Sequence, residues 1–292
     1  MSMEQPAKPR RKFSWRRVLL IIFMIYLIII AIVCYSPSKL VLMPTTRPIS
    51  VTNAERRLIP SSVGSVEVWT RRNTAAQLVP PDAYVLAFIG NGSRAERELD
   101  RISPMWSKYP VEIWAVNYPG YGGSEGEALL KNIPPATLAV YDALAKVANG
   151  KPIFLSGHSL GTTVAIGIAA QRPVAGLVLH NPPPLRHLIF ERYGWFNLWL
   201  GASYVAESIP VEMRSLTNGP NCHAPAVFLL AGRDTVVPPR YQDTVFRDYA
   251  GPKHAVRMPT YLHNDPLWVA PELPQAEKEI DWLWQSAMRQ NH

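Results

Sequence analysis

Cysteine is almost absent: Cys34 and Cys222 are the only two in 292 residues. They stand far apart, Cys34 inside an apolar run, so neither a disulfide framework nor a metal-ligand spacing can be built from them. No internal repeat recurs and no window is of low complexity, although proline is frequent at 28 residues and scattered throughout. Repeat arrays and disordered tracts are thereby excluded. Acidic residues are scarce at the N-terminus. Residues 1–17 hold Lys8, Arg10, Arg11, Lys12, Arg16 and Arg17 against Glu4 alone, which leaves +3 for the rest of a chain whose formal charge is +8. The high isoelectric point is therefore mostly a property of this arm. Hydrophobic residues make up 48% of the chain, enough for a sizeable core in one large domain or two small ones.

The segment after the basic arm decides the arm's meaning. Val18 to Tyr35 is an uncharged run of 18 residues, about 27 Å long as a helix, close to the thickness of bilayer hydrocarbon. It is apolar on every face, unlike an amphipathic surface helix. Basic residues before such a run predict the N-terminus on the cytoplasmic side rather than a nucleic-acid contact. A cleaved signal peptide is the main competitor. Against it, the run exceeds the usual core of about 7–15 residues, and no Ala-x-Ala-like site precedes Ser36-Pro37. Ala31-Ile-Val-Cys34 also lacks the small residue a lipoprotein site needs just before its cysteine. The expected organisation is a basic cytoplasmic tail (1–17), a single-pass transmembrane helix (18–35), a linker with Pro37, Pro44, Pro48 and Pro60 (36–62), and one domain (63–292) on the periplasmic or extracytoplasmic side.

Within that domain, strand-like and helix-like stretches alternate. Val66–Thr70 alternates in polarity, whereas Ala83–Ile89, Val111–Val116, Ile153–Leu155, Gly176–His180 and Val227–Ala231 are continuous apolar runs, the mark of strands buried on both faces. Ala255–Met258 adds a short last strand. Helices are expected over Arg94–Trp106, Ala136–Ala148, the stretch after Gly161, Tyr241–Tyr249 and Glu277–Met288. The order predicts an α/β fold with a mostly parallel, doubly wound sheet. In such sheets function gathers at the carboxyl ends of the strands.

One of those ends carries Gly157-His-Ser-Leu-Gly161, between a strand and a small-residue helix. Glycine and serine are common enough that this pentapeptide arises by accident in about one chain in ten of this length. The strand–turn–helix context is what makes it a nucleophile elbow with Ser159 at its apex. Side chains at the flanking positions would collide in so sharp a turn. The helix N-terminus behind Ser159 favours developing negative charge.

A nucleophilic serine needs a base, a group to orient the base, and oxyanion donors. Among the seven histidines, His158 sits inside the elbow with its side chain directed away from Ser159. His180, His187 and His223 precede the acid candidate, and His292 is terminal. His254 begins the last strand, roughly 15 Å from its carboxyl end. His263 follows that strand and is the expected base. Asp234 directly follows the Val227–Ala231 strand and is the expected acid; Asp243 and Asp248 fall in the next helix, and Asp265 belongs to the loop of His263. The strand ending His180-Asn-Pro-Pro offers no acid. Oxyanion donors are expected from the backbone N–H groups of Leu160 and Asn91, the latter between Gly90 and Gly92. This chemistry calls for no metal and no cofactor.

With Phe88-Ile-Gly-Asn-Gly, Asn117-Tyr-Pro-Gly-Tyr-Gly-Gly-Ser-Glu-Gly, Gly157-His-Ser-Leu-Gly, Gly232-Arg-Asp-Thr-Val-Val-Pro and His263-Asn-Asp in place, the chain resembles the α/β-hydrolase superfamily over roughly residues 64–290. The likeness is nearest to its single-pass, membrane-anchored members with a short cap. These are serine hydrolases of acyl esters, thioesters or lipids. That pattern usually has His-Gly where this chain has Ile89-Gly90, which keeps the backbone donor and removes any side-chain role. The resemblance implies a cap over residues 183–220. Leu185, Leu188, Ile189, Phe190, Tyr193, Trp195 and Trp199 make it apolar and aromatic, as an acyl chain or aryl ester would require. Substrate contacts are expected from Tyr118, Phe190, Trp195 and Trp199. The same fold also carries peptidases and acyltransferases, and it can persist as a non-catalytic interaction module. An aminopeptidase would need an acidic group near the pocket, and the cap offers only Glu191, Glu207 and Glu212.

Overall fold

The computed structural model describes residues 14–77, 79–197 and 199–290. Residues 1–13 of the basic tail and Leu198 of the cap lie outside them.

Helix α1 (Trp15–Tyr35) contains the expected apolar run, none of its 21 residues is buried, and it is long and apolar enough to cross a membrane. A short helix α2 (Pro37–Val41) follows, with proline in its first turn, where a missing N–H costs nothing. Strand β1 (Glu55–Ile59) pairs antiparallel with β2 (Val66–Arg72), and β2 pairs antiparallel with β4 (Val111–Val116). β3 (Ala83–Phe88), β5 (Ile153–His158), β6 (Gly176–His180), β7 (Ala226–Ala231) and β8 (Lys253–Met258) complete one eight-stranded sheet. Its order is β1-β2-β4-β3-β5-β6-β7-β8, parallel from β4 to β8.

The segment 36–62 is therefore not a free linker. It holds α2 and an edge strand, and it is fastened to the domain. Glu55-Arg-Arg-Leu-Ile59 escapes a reading based on apolar runs because an edge strand, paired on one side and wet on the other, carries charge without penalty.

The buried strands alternate faces as a pleated sheet must. In β3, Tyr84, Leu86 and Phe88 pack with one layer, and Ala83, Val85 and Ala87 with the other. The first layer holds α4 (Ile133–Ala148) and α5 (Leu160–Ala169) through Val140, Leu144, Val164 and Ile168. The second holds α3 (Ala95–Ile102) and α10 (Leu273–Gln290) through Leu99, Ile102, Ile280 and Leu283. Pro134 and Pro135 open α4, and Asn149 in the left-handed region closes it. Between β6 and β7 lies the cap, built mainly from α6 (Leu185–Tyr193) and α7 (Leu200–Glu207), which pack on each other. Short α8 (Ser215–Asn218) leads back to β7, and α9 (Pro239–Asp248) joins β7 to β8. α7 also packs against α1.

Candidate active site

Ser159 stands between β5 and α5 with φ 51° and ψ −116°. A positive φ on a serine costs of order 1–3 kcal/mol and is kept only where the surroundings over-determine it. Here they do. The Ser159 N–H donates to the His180 carbonyl (2.9 Å), and the Ser159 carbonyl accepts from the Thr162 N–H (3.0 Å) and hydroxyl (2.7 Å). The flanking glycines are sterically required. A Cβ on Gly157 would lie 2.6 Å from the Gly161 backbone, and one on Gly161 would lie 2.1 Å from the Phe88 carbonyl oxygen. The turn can therefore form only without those side chains.

Asp234 and His263 reach each other from the loops after β7 and β8. His263 Nδ1 donates to Asp234 Oδ2 over 2.6 Å, with both residues buried. Asp234 cannot wander: its Oδ1 accepts from the N–H groups of Val236 and Val237, each at 2.8 Å. Gln242 Nε2 reaches its Oδ2 at 3.3 Å. With its Nδ1 proton engaged, His263 has Nε2 left as a proton acceptor. No hydrogen bond joins His263 to Ser159 among the described residues; the bonds of His263 run to Asp234, His158 and Asn181. The Asp265 carboxylate closes the loop around His263 by accepting from the Leu262 N–H (2.8 Å). His254 lies elsewhere. It bonds Glu279 at 2.5 Å and stacks on Trp282 at 3.9 Å.

Behind this pair is a polar layer that the sequence did not reveal. The His263 carbonyl accepts from His158 Nε2 (3.2 Å) and from Asn181 Nδ2 (3.0 Å), and Asn181 Oδ1 accepts from the Ala231 N–H (2.9 Å). The dipeptide His180-Asn181 thus touches the backbone of the serine, the strand that carries the aspartate, and the histidine loop. Asn181 has φ 52°, a conformation asparagine tolerates better than most residues. Arg101, paired with buried Glu98, donates to His180 Nδ1 at 2.9 Å, so His180 carries its proton on Nε2. Burial, and then the Arg101 charge, hold His158 well below the usual imidazole range. Burial, and then His158 and Arg101, do the same to His180. Both stay neutral. The dipeptide's position after a strand is a sequence signal, but a search for acids alone passes over an asparagine there.

A cavity of about 580 Å³ lies over Ser159. Ser159, Leu160 and Asn91 line it together; Val236 and Val237 join them from the aspartate loop. The cap contributes Leu185, Leu188, Ile189, Arg192 and Tyr193 from α6, and Gly201, Ala202 and Val205 from α7. The remaining wall is Pro183 together with Val33, Leu40, Val41 and Met43, the last four from α1 and the segment after it. Asn91 fastens that segment: its Nδ2 donates to the Val41 carbonyl (2.6 Å) and its Oδ1 accepts from the Met43 N–H (2.8 Å).

The four residues expected to contact substrate do not line this cavity. Tyr118 is fully buried and donates its hydroxyl to the Ile89 carbonyl (2.9 Å), bracing the loop of Asn91 from behind. Phe190, Trp195 and Trp199 face outward, 40%, 61% and 46% exposed. On α6 the 3.6-residue period turns Leu188 and Ile189 inward and Phe190 away, a distinction that composition alone does not make. The apolar wall from residues 33–43 is likewise missed by the sequence; its signal is the trio Val41-Leu-Met43 in a stretch that reads as a linker.

The model of the alpha/beta hydrolase family matches residues 59–290. An uncharacterized protein of Mycobacterium tuberculosis is 30% identical over 159 residues, which are 53% of this chain and 54% of that protein. Human monoglyceride lipase is 32% identical over 108 residues, 35% of each chain. The chain thus spans about half the length of the first relative and about a third of the second. Among solved structures, the Pyrococcus furiosus esterase Pf2001 superposes with a TM-score of 0.64 at 16% identity, over 85% of this chain and 97% of that one. Est1E from Butyrivibrio proteoclasticus with ferulic acid bound gives a TM-score of 0.63 at 17% identity, over 79% and 98%. At such identities these two neighbours speak to the fold alone.

Proposed function

The chain belongs to the alpha/beta hydrolase family, and on that premise we propose that it is a membrane-anchored serine hydrolase that cleaves carboxylic ester or thioester bonds of acyl or lipid-like substrates. One observation carries the reading: a strained serine lines an apolar cavity whose wall also holds Val236 and Val237, and the N–H groups of these two orient the aspartate bonded to His263. His263 Nε2 takes the proton of Ser159 as its Oγ attacks the carbonyl carbon. Asp234 holds the tautomer and stabilises the imidazolium. The N–H groups of Leu160 and Asn91 receive the oxyanion. His263 then protonates the leaving alcohol or thiol, and water, activated by the same histidine, releases the acid from the acyl-enzyme. Human monoglyceride lipase is named for ester cleavage, which agrees with this chemistry.

Ester cleavage is favoured over aminopeptidase action by the acids of the cap. Glu191 accepts from the Tyr241 hydroxyl and Glu207 pairs with Arg186 and Arg214; neither these two nor Glu212 lines the cavity. A substrate amine would find no carboxylate there among the described residues. Membrane attachment rests on α1, and retention rather than cleavage is favoured because Val33 is part of the cavity wall. The basic tail then lies on the cytoplasmic side and the hydrolase domain on the other.

A fluorophosphonate probe tests the reading directly. Labelling at Ser159, abolished in Ser159→Ala together with p-nitrophenyl butyrate turnover, is the expected outcome. A folded protein that resists the probe, or a Ser159→Ala variant with undiminished turnover, overturns it.

A further inference from the structure

The cavity over Ser159 is closed at one end and open at the other. Ser159 and Leu160 are buried, whereas Leu40, Met43, Tyr193 and, from the aspartate loop, Val236 line the same cavity while 54%, 65%, 51% and 48% exposed. Residues that both line a cavity and meet the outside mark its mouth. Leu40 and Met43 come five and eight residues after Tyr35, the end of α1, and Val33 of α1 is itself a wall. One side of the mouth therefore lies where the apolar helix ends, and the other is at Val236 of the aspartate loop.

The cap has a second unusual surface. α7 packs against α1, yet Trp199, Leu200 and Tyr204 of that region remain 46%, 62% and 50% exposed. A helix packed against a candidate membrane span sits next to the level that span would occupy, which puts its outward side chains within reach of lipid. Tryptophan and tyrosine suit that level, with apolar rings and one polar atom at the edge. The alternative occupant, a second copy of the chain, would have to cover this face and α1 together. A bilayer covers both as one continuous surface.

We infer that the cap dips into the membrane interface beside α1, and that the cavity takes its acyl substrate sideways from the adjoining leaflet, through the mouth between Leu40, Met43 and Tyr193. The substrate class is a membrane-resident acyl ester whose chain fills the apolar cavity while its carbonyl reaches Ser159. This deepens the serine-hydrolase reading and rests on it for the chemistry, but not for the position of the cap.

Two measurements on the full chain in phosphatidylcholine vesicles separate those parts. In a Cys34→Ser background, an environment-sensitive fluorophore is attached at Leu200→Cys, and for comparison at Lys146→Cys near the opposite end of the sheet. Blue-shifted emission at 200, quenched by brominated lipid, with neither change at 146, is expected. Equal, water-like emission at both positions overturns the inference whether or not the protein is an enzyme. The second measurement compares wild type with Leu200→Lys/Tyr204→Lys, two exposed positions outside the cavity. Turnover of a vesicle-borne long-chain ester should fall at least fivefold, and that of water-soluble p-nitrophenyl butyrate should stay unchanged. An unchanged rate on the vesicle ester, or an equal loss on both esters, overturns lateral uptake. Turnover of neither ester by the wild type removes the hydrolase reading and the uptake with it, and leaves the position of the cap to the fluorophore.

Discussion

The floor and the roof of the cavity are built by opposite means. The floor is polar, buried and over-determined: Ser159, Asp234 and His263 are each held by backbone groups or by buried side chains, and the Ser159 carbonyl, the Asp234 Oδ1 and the His263 carbonyl each accept two donors. The roof is apolar and depends on packing between α6, α7 and the 33–43 segment. Hydrogen bonds define distances and angles, so the floor can hold reacting atoms in one geometry. Apolar contacts are non-directional, so the roof can accept a range of chain shapes. In the proposed reading, bond making belongs to the floor and choice of substrate to the roof.

The sharpest way to break this division is at the floor. Ser159→Ala or His263→Ala should lower kcat for a short soluble ester by roughly 10⁴-fold or more, with unaltered thermal unfolding. A residual rate near wild type would place the chemistry elsewhere. Next comes the polar layer beneath. Asn181→Asp keeps the acceptor for Ala231 and the tolerance for positive φ but loses the donor to the His263 carbonyl. Its kcat should fall about tenfold or more, with KM little changed, because the histidine loop is no longer aligned. A rise in KM at constant kcat would make Asn181 a binding residue instead.

At the roof, Leu188→Trp should fill part of the cavity. We expect kcat/KM for long-chain esters to fall about tenfold while butyrate esters are hardly affected. Equal loss on both would dissolve the distinction between floor and roof. The smallest effect concerns pH. His158 and His180 are held below their usual range by burial. The unfolded chain therefore takes up protons that the folded chain refuses once the pH drops under about 6.5. Stability from this source is complete above that pH and declines as the pH falls toward the depressed folded values. His180→Asn, which can still accept from Arg101, should flatten the decline by at most about 1.4 kcal/mol per pH unit. Thermal unfolding in detergent micelles at pH 7.5, 6.0 and 5.0 measures it; an unchanged slope would mean that His180 takes up its proton in the folded protein.

Much of the floor is legible in the linear chain. Buried strands leave uninterrupted apolar runs, and the elbow demands Gly157 and Gly161 on steric grounds that the contact distances now quantify. Asp234 and His263 can be picked because each directly follows a strand. The roof is not legible. Phe190, Trp195 and Trp199 stand out for being aromatic, but which side of a short helix faces inward depends on what it packs against. Glu55–Ile59 does not look like a strand, since its partner on one side is water. Nothing in Val41-Leu-Met43 announces a contact with Asn91, nearly fifty residues away.

What the sequence determined by itself is local and repetitive: an apolar helix at the N-terminus, alternating strands and helices, a turn that only glycine permits, and the chain order of a serine, an aspartate and a histidine. Each is written in a short window because its cause acts over a short window, whether pleat, helical period or backbone clash. The tertiary structure alone decided which carbonyl Asn181 grips, that the supposed linker is a cavity wall, and that the cap turns aliphatic side chains toward Ser159 and aromatic ones outward. These are contacts between residues far apart in sequence. Their energies come from burial and hydrogen bonding that exist only once the sheet has brought the loops together, so no single stretch of the chain encodes them.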